Sequence, residues 1–217
     1  MNPEVLGLFD PETDPFQADR IPFDVVCAGD SLTGWGNFGP TESWPFRCYP
    51  EFLQVLCEPL SLKVANCGLA GETSNNGVWQ VRDYLTLFTT ARFFLICYGA
   101  NDLEGCANHE SASAKVIANL GRMVNAVRKQ GKQPITLDIP DVNARLFPAD
   151  ELIAARAAIS YHNPRLMRFC QDQDIPLAVI SGCLGEEHFG DACHPTAEGA
   201  KIIAGIVFEV LAAMLPP

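Results

Sequence analysis

The sequence has few basic residues for its length and no long hydrophobic run. Lysine and arginine together number 15, against 26 aspartates and glutamates, so the formal net charge is −11. Because an acidic surface repels phosphate backbones and anionic headgroups, we expect no nucleic-acid partner and no electrostatic docking on a membrane. Nowhere do eighteen apolar residues follow one another. The sequence therefore predicts no membrane-spanning helix.

The first twenty residues also lack the features of a secretion signal. Segment 1–20 is acidic and contains prolines, with neither a basic start nor a sustained apolar stretch. We expect it to form an N-terminal tail rather than a signal peptide. The chain has 217 residues, of which 48% are hydrophobic. This is enough for one substantial core and short for two, so we predict a single domain over 21–217.

Paired cysteine motifs are missing as well. The nine cysteines are an odd number, and no two of them form a Cys-x-x-Cys pair. Cys27 and Cys97 lie in predicted buried strands, where cysteine behaves as a small apolar residue. We therefore expect reduced thiols and a cytoplasmic protein.

Apolar runs alternate with amphipathic segments along the chain, which is typical of an α/β fold. Over 113–130 the apolar residues fall on one helical face before a glycine stop, and Pro195-Thr196-Ala197-Glu198 is a helix-start sequence for the last helix. Strands alternating with helices require right-handed crossovers and a mainly parallel sheet. The predicted strands are 23–28, 62–66, 93–98, 134–139 and 177–181.

A serine follows the first predicted strand directly. The tetrapeptide Gly29-Asp30-Ser31-Leu32 comes after the run 23–28. In an open parallel sheet, the loops at the carboxyl ends of the strands line the ligand crevice. Ser31 is thus a candidate nucleophile, although the same residues are ordinary helix N-caps when considered alone.

Three later segments contain further polar residues suited to acyl transfer. They are 66–71, 99–102 and 191–195, and the first two again follow apolar runs. We therefore expect Gly68 and Asn101 to emerge at the same edge of the sheet as Ser31. Taken singly, Gly68 and Asn101 are ordinary turn residues, and His194 before a proline is an ordinary helix-start residue.

Together these four segments resemble the SGNH hydrolases, or GDSL esterase/lipase family, named after a serine, a glycine, an asparagine and a histidine. The matching residues, in order, are Ser31, Gly68, Asn101 and His194, with Asp191 three positions before the histidine. The resemblance runs from the first strand to the last helix. It implies a three-layer α/β/α sandwich with a mainly parallel five-stranded sheet in the flavodoxin-like order 2-1-3-4-5.

The resemblance implies hydrolysis of carboxylic esters through an acyl-enzyme on Ser31. A serine hydroxyl is a poor nucleophile at neutral pH and needs a base, for which His194 is the candidate. Asp191 would orient the imidazole and stabilise its charged form. The resemblance also assigns the oxyanion hole to the Ser31 and Gly68 N–H groups and the Asn101 side chain.

Other residues near these motifs have less specific roles. We expect Asp30 and Asp102 to brace the loops through backbone hydrogen bonds. Trp35, Phe38 and Trp44 are candidates for a substrate pocket, and they are equally interpretable as packing residues.

Two patterns suggest cofactors, and we reject both. The sequence 34–39 reads G-x-G-x-x-G, but it begins six residues after Ala28 and runs into Pro40, unlike a nucleotide loop. The soft ligands Cys183, His188, Cys193 and His194 match no usual zinc spacing. We therefore expect no cofactor and no metal. We expect His109 and His162, which have polar neighbours, to lie at the surface.

The identity of the substrate stays open at this stage. The family acts on acetylated sugars, lysophospholipids, thioesters and aryl esters, and so short a chain favours a small or medium acyl ester because it leaves little room for a lid. An acyltransferase on the same fold, or a non-catalytic nucleotide- or carbohydrate-binding module, are alternatives. The sequence does not indicate an oligomeric state.

Overall fold

The computed structural model describes residues 22–34, 48–147 and 149–215, except for the side chain of Asp150. The predicted tail, 1–20, lies outside the described residues, and so does all but the first glycine of the G-x-G-x-x-G segment. The predicted pocket residues Trp35, Phe38 and Trp44 lie outside them too.

Five parallel strands form one sheet in the order β2-β1-β3-β4-β5. This confirms the predicted parallel sheet and its order. The strands are β1 (Val25–Gly29), β2 (Val64–Gly68), β3 (Phe93–Cys97), β4 (Gln133–Leu137) and β5 (Leu177–Ala178).

The strand β5 is shorter than the predicted 177–181, and a side chain explains why. The backbone N–H groups of Ile180 and Ser181 donate to Oδ1 of Asp138, at 2.6 and 3.1 Å. A carboxylate that accepts from these groups replaces the backbone ladder, so regular pairing ends at Ala178.

Helices cover both faces of the sheet. They are α1 (Tyr49–Cys57), α2 (Ser74–Leu87), α3 (Ala100–Leu103), α4 (His109–Lys129), α5 (Ala149–Asp172) and α6 (Ala197–Ala213), with short 3₁₀ turns at Glu58–Leu60 and Glu186–His188. Because side chains alternate along a strand, Val26 and Ala28 enter the core beneath α2, α4 and α5, whereas Val25 and Cys27 enter the core beneath α1 and α6. The result is the predicted three-layer sandwich.

Capping residues set the ends of the two helices that the sequence indicated most clearly. The helix α4 begins four residues before the predicted 113, because the side chain of Asn108 accepts from the Ser111 N–H at 2.8 Å. It ends before Gly131, whose φ is 68°. At α6 the cap is Thr196, whose hydroxyl accepts from the Gly199 N–H at 3.3 Å.

The prediction of a surface position for His162 is wrong. Its side chain is fully buried between α4 and α5, and Nδ1 lies 3.0 Å from the Ser113 hydroxyl. Polar sequence neighbours misled the prediction, since one of them, Asn163, turns inward to bond both backbone groups of Ile139. Burial lowers the pKa of His162 to about 4, so its ring is neutral. His109 is partly exposed at the start of α4.

The described cysteines have free thiols, and six of the nine are buried. No helix within the described ranges is both long enough and apolar enough to cross a bilayer.

Candidate active site

A tight turn after β1 presents Ser31 at the carboxyl edge of the sheet. The carbonyl of Asp30 accepts from the N–H groups of Thr33 and Gly34, both at 3.0 Å, while the Asp30 N–H donates to the Cys97 carbonyl on β3 at 3.1 Å. The Asp30 side chain accepts from the Leu32 N–H at 3.0 Å. These bonds hold the turn on both sides of Ser31, which is itself partly exposed.

His194 and Asp191 meet Ser31 from the loop before α6. Nε2 of His194 lies 3.0 Å from the Ser31 hydroxyl, and Nδ1 lies 2.7 Å from Oδ2 of Asp191. The other oxygen of Asp191 accepts from the backbone N–H groups of Cys193 and His194, at 2.9 and 2.7 Å. The three residues are thus brought together in the order hydroxyl, imidazole, carboxylate.

Asp191 and His194 also change one another's protonation. Burial lowers the pKa of His194, but the hydrogen bond that its ring donates to Asp191 and the contact with the Cys193 thiol outweigh burial and raise the pKa to about 10. For Asp191, burial raises the pKa, while the hydrogen bonds from His194 and from two backbone N–H groups lower it below its usual range. The carboxylate therefore favours a proton on Nδ1.

Asn101 reaches the same edge from α3. The turn before it needs Gly99, whose φ is 132°. The Asn101 amide donates to the Glu72 carbonyl at 2.8 Å. Because an amide nitrogen carries two hydrogens, one remains for a ligand.

Asp102 ties α3 to the beginning of α2. Its two carboxylate oxygens accept from the Ser74 N–H at 2.7 Å and from the Ser74 hydroxyl at 2.9 Å. The amide of Asn119 on α4 donates to that hydroxyl at 3.0 Å. A buried polar network thus joins three helices directly behind Asn101.

The structure places Gly68 behind the Ser31 turn rather than in the cleft. Gly68 is buried, and its N–H donates to Oδ1 of Asn66 at 3.1 Å. A Cβ on Gly68 would lie 2.2 Å from the nitrogen of Gly34. Gly68 thus lets β2 pack closely against this turn, and its N–H already has an acceptor within the protein.

A second glycine of the same loop is exposed instead. Gly71 has a φ of 78° and immediately precedes Glu72, the residue whose carbonyl binds the Asn101 amide. Within the described ranges, neither the Ser31 N–H nor the Gly71 N–H has an acceptor. Sequence reasoning missed Gly71. Its position directly before the start sequence of α2 was the available signal.

Asp30 is a fully buried carboxyl beside the nucleophile candidate. Burial raises the pKa of Asp30 to about 7, while hydrogen bonding from the Leu32 N–H lowers it. Its second oxygen, Oδ2, has no partner in the described part of the chain, and the same holds for the hydroxyls of Thr33 and Tyr49.

The residues considered for zinc do not form one group. His188 accepts from the Gly185 N–H through Nδ1 at 2.9 Å, and the exposed Cys183 contacts the Val179 carbonyl. A different set of donor atoms lies together: Asp191, Cys193 and His194 offer one atom each, and these atoms all lie within 4.8 Å of one another.

Similar folds occur in solved structures at low sequence identity. A GDSL-like lipase from Bacteroides thetaiotaomicron is 20% identical, with a TM-score of 0.65, over 88% of this chain and 89% of that one. A carbohydrate acetylesterase from Sinorhizobium meliloti is 14% identical, with a TM-score of 0.70, over 89% and 100% of the two chains. An aryl esterase from M. smegmatis is 17% identical, with a TM-score of 0.71, over 89% and 100%.

Comparison by sequence identifies the family. No curated protein matches the chain. Residues 27–202 match the family model described as GDSL-like lipase/acylhydrolase. This range spans most of the chain and includes all the strands except the first two residues of β1. The protein therefore belongs to the GDSL-like lipase/acylhydrolase family.

Proposed function

We propose that this protein hydrolyses carboxylic esters through an acyl-enzyme on Ser31, with His194 as base and Asp191 as the orienting carboxylate. The observation that carries the proposal is the continuous chain of two contacts, 3.0 Å from the Ser31 hydroxyl to His194 and 2.7 Å from His194 to Asp191. Nucleophile, base and orienting group at hydrogen-bond distance are the arrangement that activates a serine.

The first step is attack of the Ser31 oxygen on the ester carbonyl. Nε2 of His194 accepts the hydroxyl proton, and Asp191 stabilises the imidazolium that forms. The tetrahedral intermediate then collapses, and His194 gives its proton to the departing alcohol. Water, deprotonated by the same nitrogen, releases the acid and restores Ser31.

The developing oxyanion needs donors that are already in position. We assign the Ser31 N–H and the second Asn101 amide hydrogen, as expected from the sequence, and we put the Gly71 N–H in place of the Gly68 N–H. The reasons for this exchange are that the Gly68 N–H binds Asn66 and that Gly71 is exposed beside the Asn101 contact. Each donor of this kind is worth about a hundredfold to a thousandfold in rate.

The substrate proposed is a small or medium acyl ester. Two structures of similar fold, described as a carbohydrate acetylesterase and an aryl esterase, support this choice. The six buried cysteines, which pack as apolar residues, support the further proposal of a reducing, cytoplasmic location.

Hydrolysis of nitrophenyl esters from acetate to long acyl chains tests the proposal. We expect activity that declines with acyl length in the wild type, and its loss in Ser31→Ala and His194→Ala with unchanged thermal unfolding. Ser111→Ala, which alters an exposed serine on α4, is the matched control and should retain full activity. Activity that persists in Ser31→Ala would contradict the nucleophile assignment. Product analysis with a competing alcohol separates hydrolysis from acyl transfer.

A further inference from the structure

We propose that Asp191, Cys193 and His194 form a binding site for a thiophilic divalent cation such as Zn²⁺, and that the bound ion switches the hydrolase off. The inhibitory part of this inference rests on the proposed function, whereas the binding part does not. In the proposed ester chemistry Cys193 neither accepts nor donates the transferred proton, although its sulfur lies beside the imidazole that does.

The three donor atoms lie within 4.8 Å of one another, which is close enough for small side-chain movements to bring them around a tetrahedral ion. A metal about 2.3 Å from sulfur and about 2.0 Å from nitrogen holds these two atoms about 3.5 Å apart. The Cys193 sulfur lies 3.6 Å from Nδ1 and 3.9 Å from Nε2 of His194, so its side chain must rotate towards Nδ1 to share an ion with that nitrogen. Oδ2 of Asp191 lies 2.7 Å from the same nitrogen. The distance between this oxygen and Nδ1 must increase by about 0.6 Å for an ion to replace the proton, because metal–oxygen distances are near 2.0 Å.

The backbone already holds the three donors in one turn. Oδ1 of Asp191 binds the N–H groups of Cys193 and His194, so Oδ2 can move towards an ion while the turn stays closed. Access is open as well. The side chains of Asp191 and His194 are 34% and 19% exposed, and Cys193 is partly exposed. The net charge of −11 favours the approach of a cation.

The chemistry of the donors determines which ions bind. A thiolate and an imidazole favour zinc-like metals, whereas Mg²⁺ and Ca²⁺ require mostly oxygen ligands. Three protein ligands leave a fourth position for water.

Binding at Nδ1 accounts for the inhibition through the placement of protons. The ion takes the Nδ1 lone pair, and the thiol proton passes to solvent as the thiolate forms. The ring keeps one proton, which must then reside on Nε2. If the ring is an imidazolium when the ion binds, its Nδ1 proton is released to solvent. If the ring is neutral with its proton on Nδ1, that proton moves to Nε2. With Nε2 protonated and Asp191 engaged by the metal, His194 has no lone pair to accept the Ser31 proton.

Binding is tested first, independently of any ester. Titration with Co²⁺ should produce a thiolate-to-metal charge-transfer band in the wild type and equally in Ser31→Ala, with one ion bound per chain. Cys193→Ser should abolish the band, and Cys193→Ala should do the same. Cys183→Ser, which alters another exposed cysteine, should leave the band intact. A band that survives in both Cys193 variants, or that disappears in Cys183→Ser, overturns the site.

Inhibition is tested second, with the best nitrophenyl ester and titrated Zn²⁺. Loss of a supporting residue around a metal costs about 10–100-fold in affinity, so loss of a ligand should cost at least as much. With inhibition expressed relative to each protein's own activity without metal, we expect Cys193→Ser to raise the half-inhibitory Zn²⁺ concentration by at least about tenfold, while chelation restores the wild type. Mg²⁺ should not inhibit. Equal Zn²⁺ sensitivity of wild type and Cys193→Ser overturns the inference.

The two tests separate the two proposals. An intact Co²⁺ site in a protein without any esterase activity would refute the proposed function alone. An active esterase without the Co²⁺ band would refute the metal site alone.

Discussion

Gly68 packs so closely on Gly34 that a Cβ on Gly68 would lie 2.2 Å from the Gly34 nitrogen. Gly34 closes the turn that carries Ser31, since its N–H donates to the Asp30 carbonyl. The end of β2 therefore supports the turn that carries Ser31. Any side chain at position 68 must displace that turn.

The two glycines of this loop should respond differently to alanine. Gly68→Ala should displace the Ser31 turn, lower the free energy of unfolding by about 1–3 kcal/mol and reduce kcat. At Gly71 a Cβ meets nothing within 4 Å, so Gly71→Ala should cost only the strain of its φ of 78°, about 1–2 kcal/mol. Urea unfolding and ester kinetics of both variants test this. If limited proteolysis cleaved the Ser31 turn equally fast in Gly68→Ala and Gly71→Ala, the role of Gly68 in supporting that turn would be contradicted.

The pH dependence of activity should reflect the raised pKa of His194. The reaction requires a neutral imidazole, so kcat/KM should fall as pH decreases through the pKa of His194, at a midpoint above the ordinary value of 6.5. Asp191→Asn removes the carboxylate, which should move this midpoint to lower pH and reduce kcat by about 10⁴-fold. The pH–rate profiles of both proteins measure the shift, and a midpoint unchanged by Asp191→Asn would refute the coupling.

The same pair should affect stability in a defined pH window. A raised His194 pKa stabilises the fold below the unfolded value near 6.5, and this contribution is lost as pH rises towards 10. The lowered Asp191 pKa contributes above 3.8 and is lost as pH falls through its folded value. The difference in free energy of unfolding between wild type and His194→Ala should therefore be largest between about pH 4 and 6.5 and become smaller towards both extremes.

Asn101 and Asp102 should have separable effects despite their adjacency. Asn101→Ala should lower kcat by about a hundredfold to a thousandfold with little change in KM, because an oxyanion donor acts in the transition state. Asp102→Ala leaves the Ser74 N–H and hydroxyl without their acceptors, which should cost about 1–3 kcal/mol of stability as well as activity. Thermal unfolding with ester kinetics distinguishes them, and an unchanged kcat in Asn101→Ala would refute its role in the oxyanion hole.

Burial of neutral His162 should make the protein sensitive to acid. Its folded pKa near 4 lies below the ordinary histidine pKa of 6.5, so the unfolded chain binds an extra proton between these values. Stability is therefore retained above about pH 6.5 and falls as pH decreases towards 4, by up to about 3 kcal/mol. The double variant His162→Leu/Ser113→Ala, which removes both partners, should flatten this slope in urea unfolding. A slope equal to that of the wild type would assign the acid sensitivity to other groups.

Local patterns were sufficient for most of the fold. The apolar runs predicted all five strands, because burial on both faces of a parallel sheet requires consecutive apolar residues. They did not predict that β5 would end at Ala178, since Asp138 competes for its backbone from a distant position in the chain. The prediction for His162 was wrong for the same reason, because Ser113, the residue that its buried ring contacts, lies 49 residues away.

The sequence by itself determined the α/β class, the strand order through the family resemblance, and the identity of Ser31, Asp191 and His194 as candidates, because each depends on local periodicity or on short motifs. Only the tertiary structure decided which groups touch. It placed the His194 ring 3.0 Å from a serine 163 positions away. In the folded protein the Gly68 N–H donates to Asn66, Gly71 is exposed, and the Cys193 sulfur contacts the His194 imidazole. Contacts of this kind arise where separate strand ends converge, and no spacing along the chain encodes them.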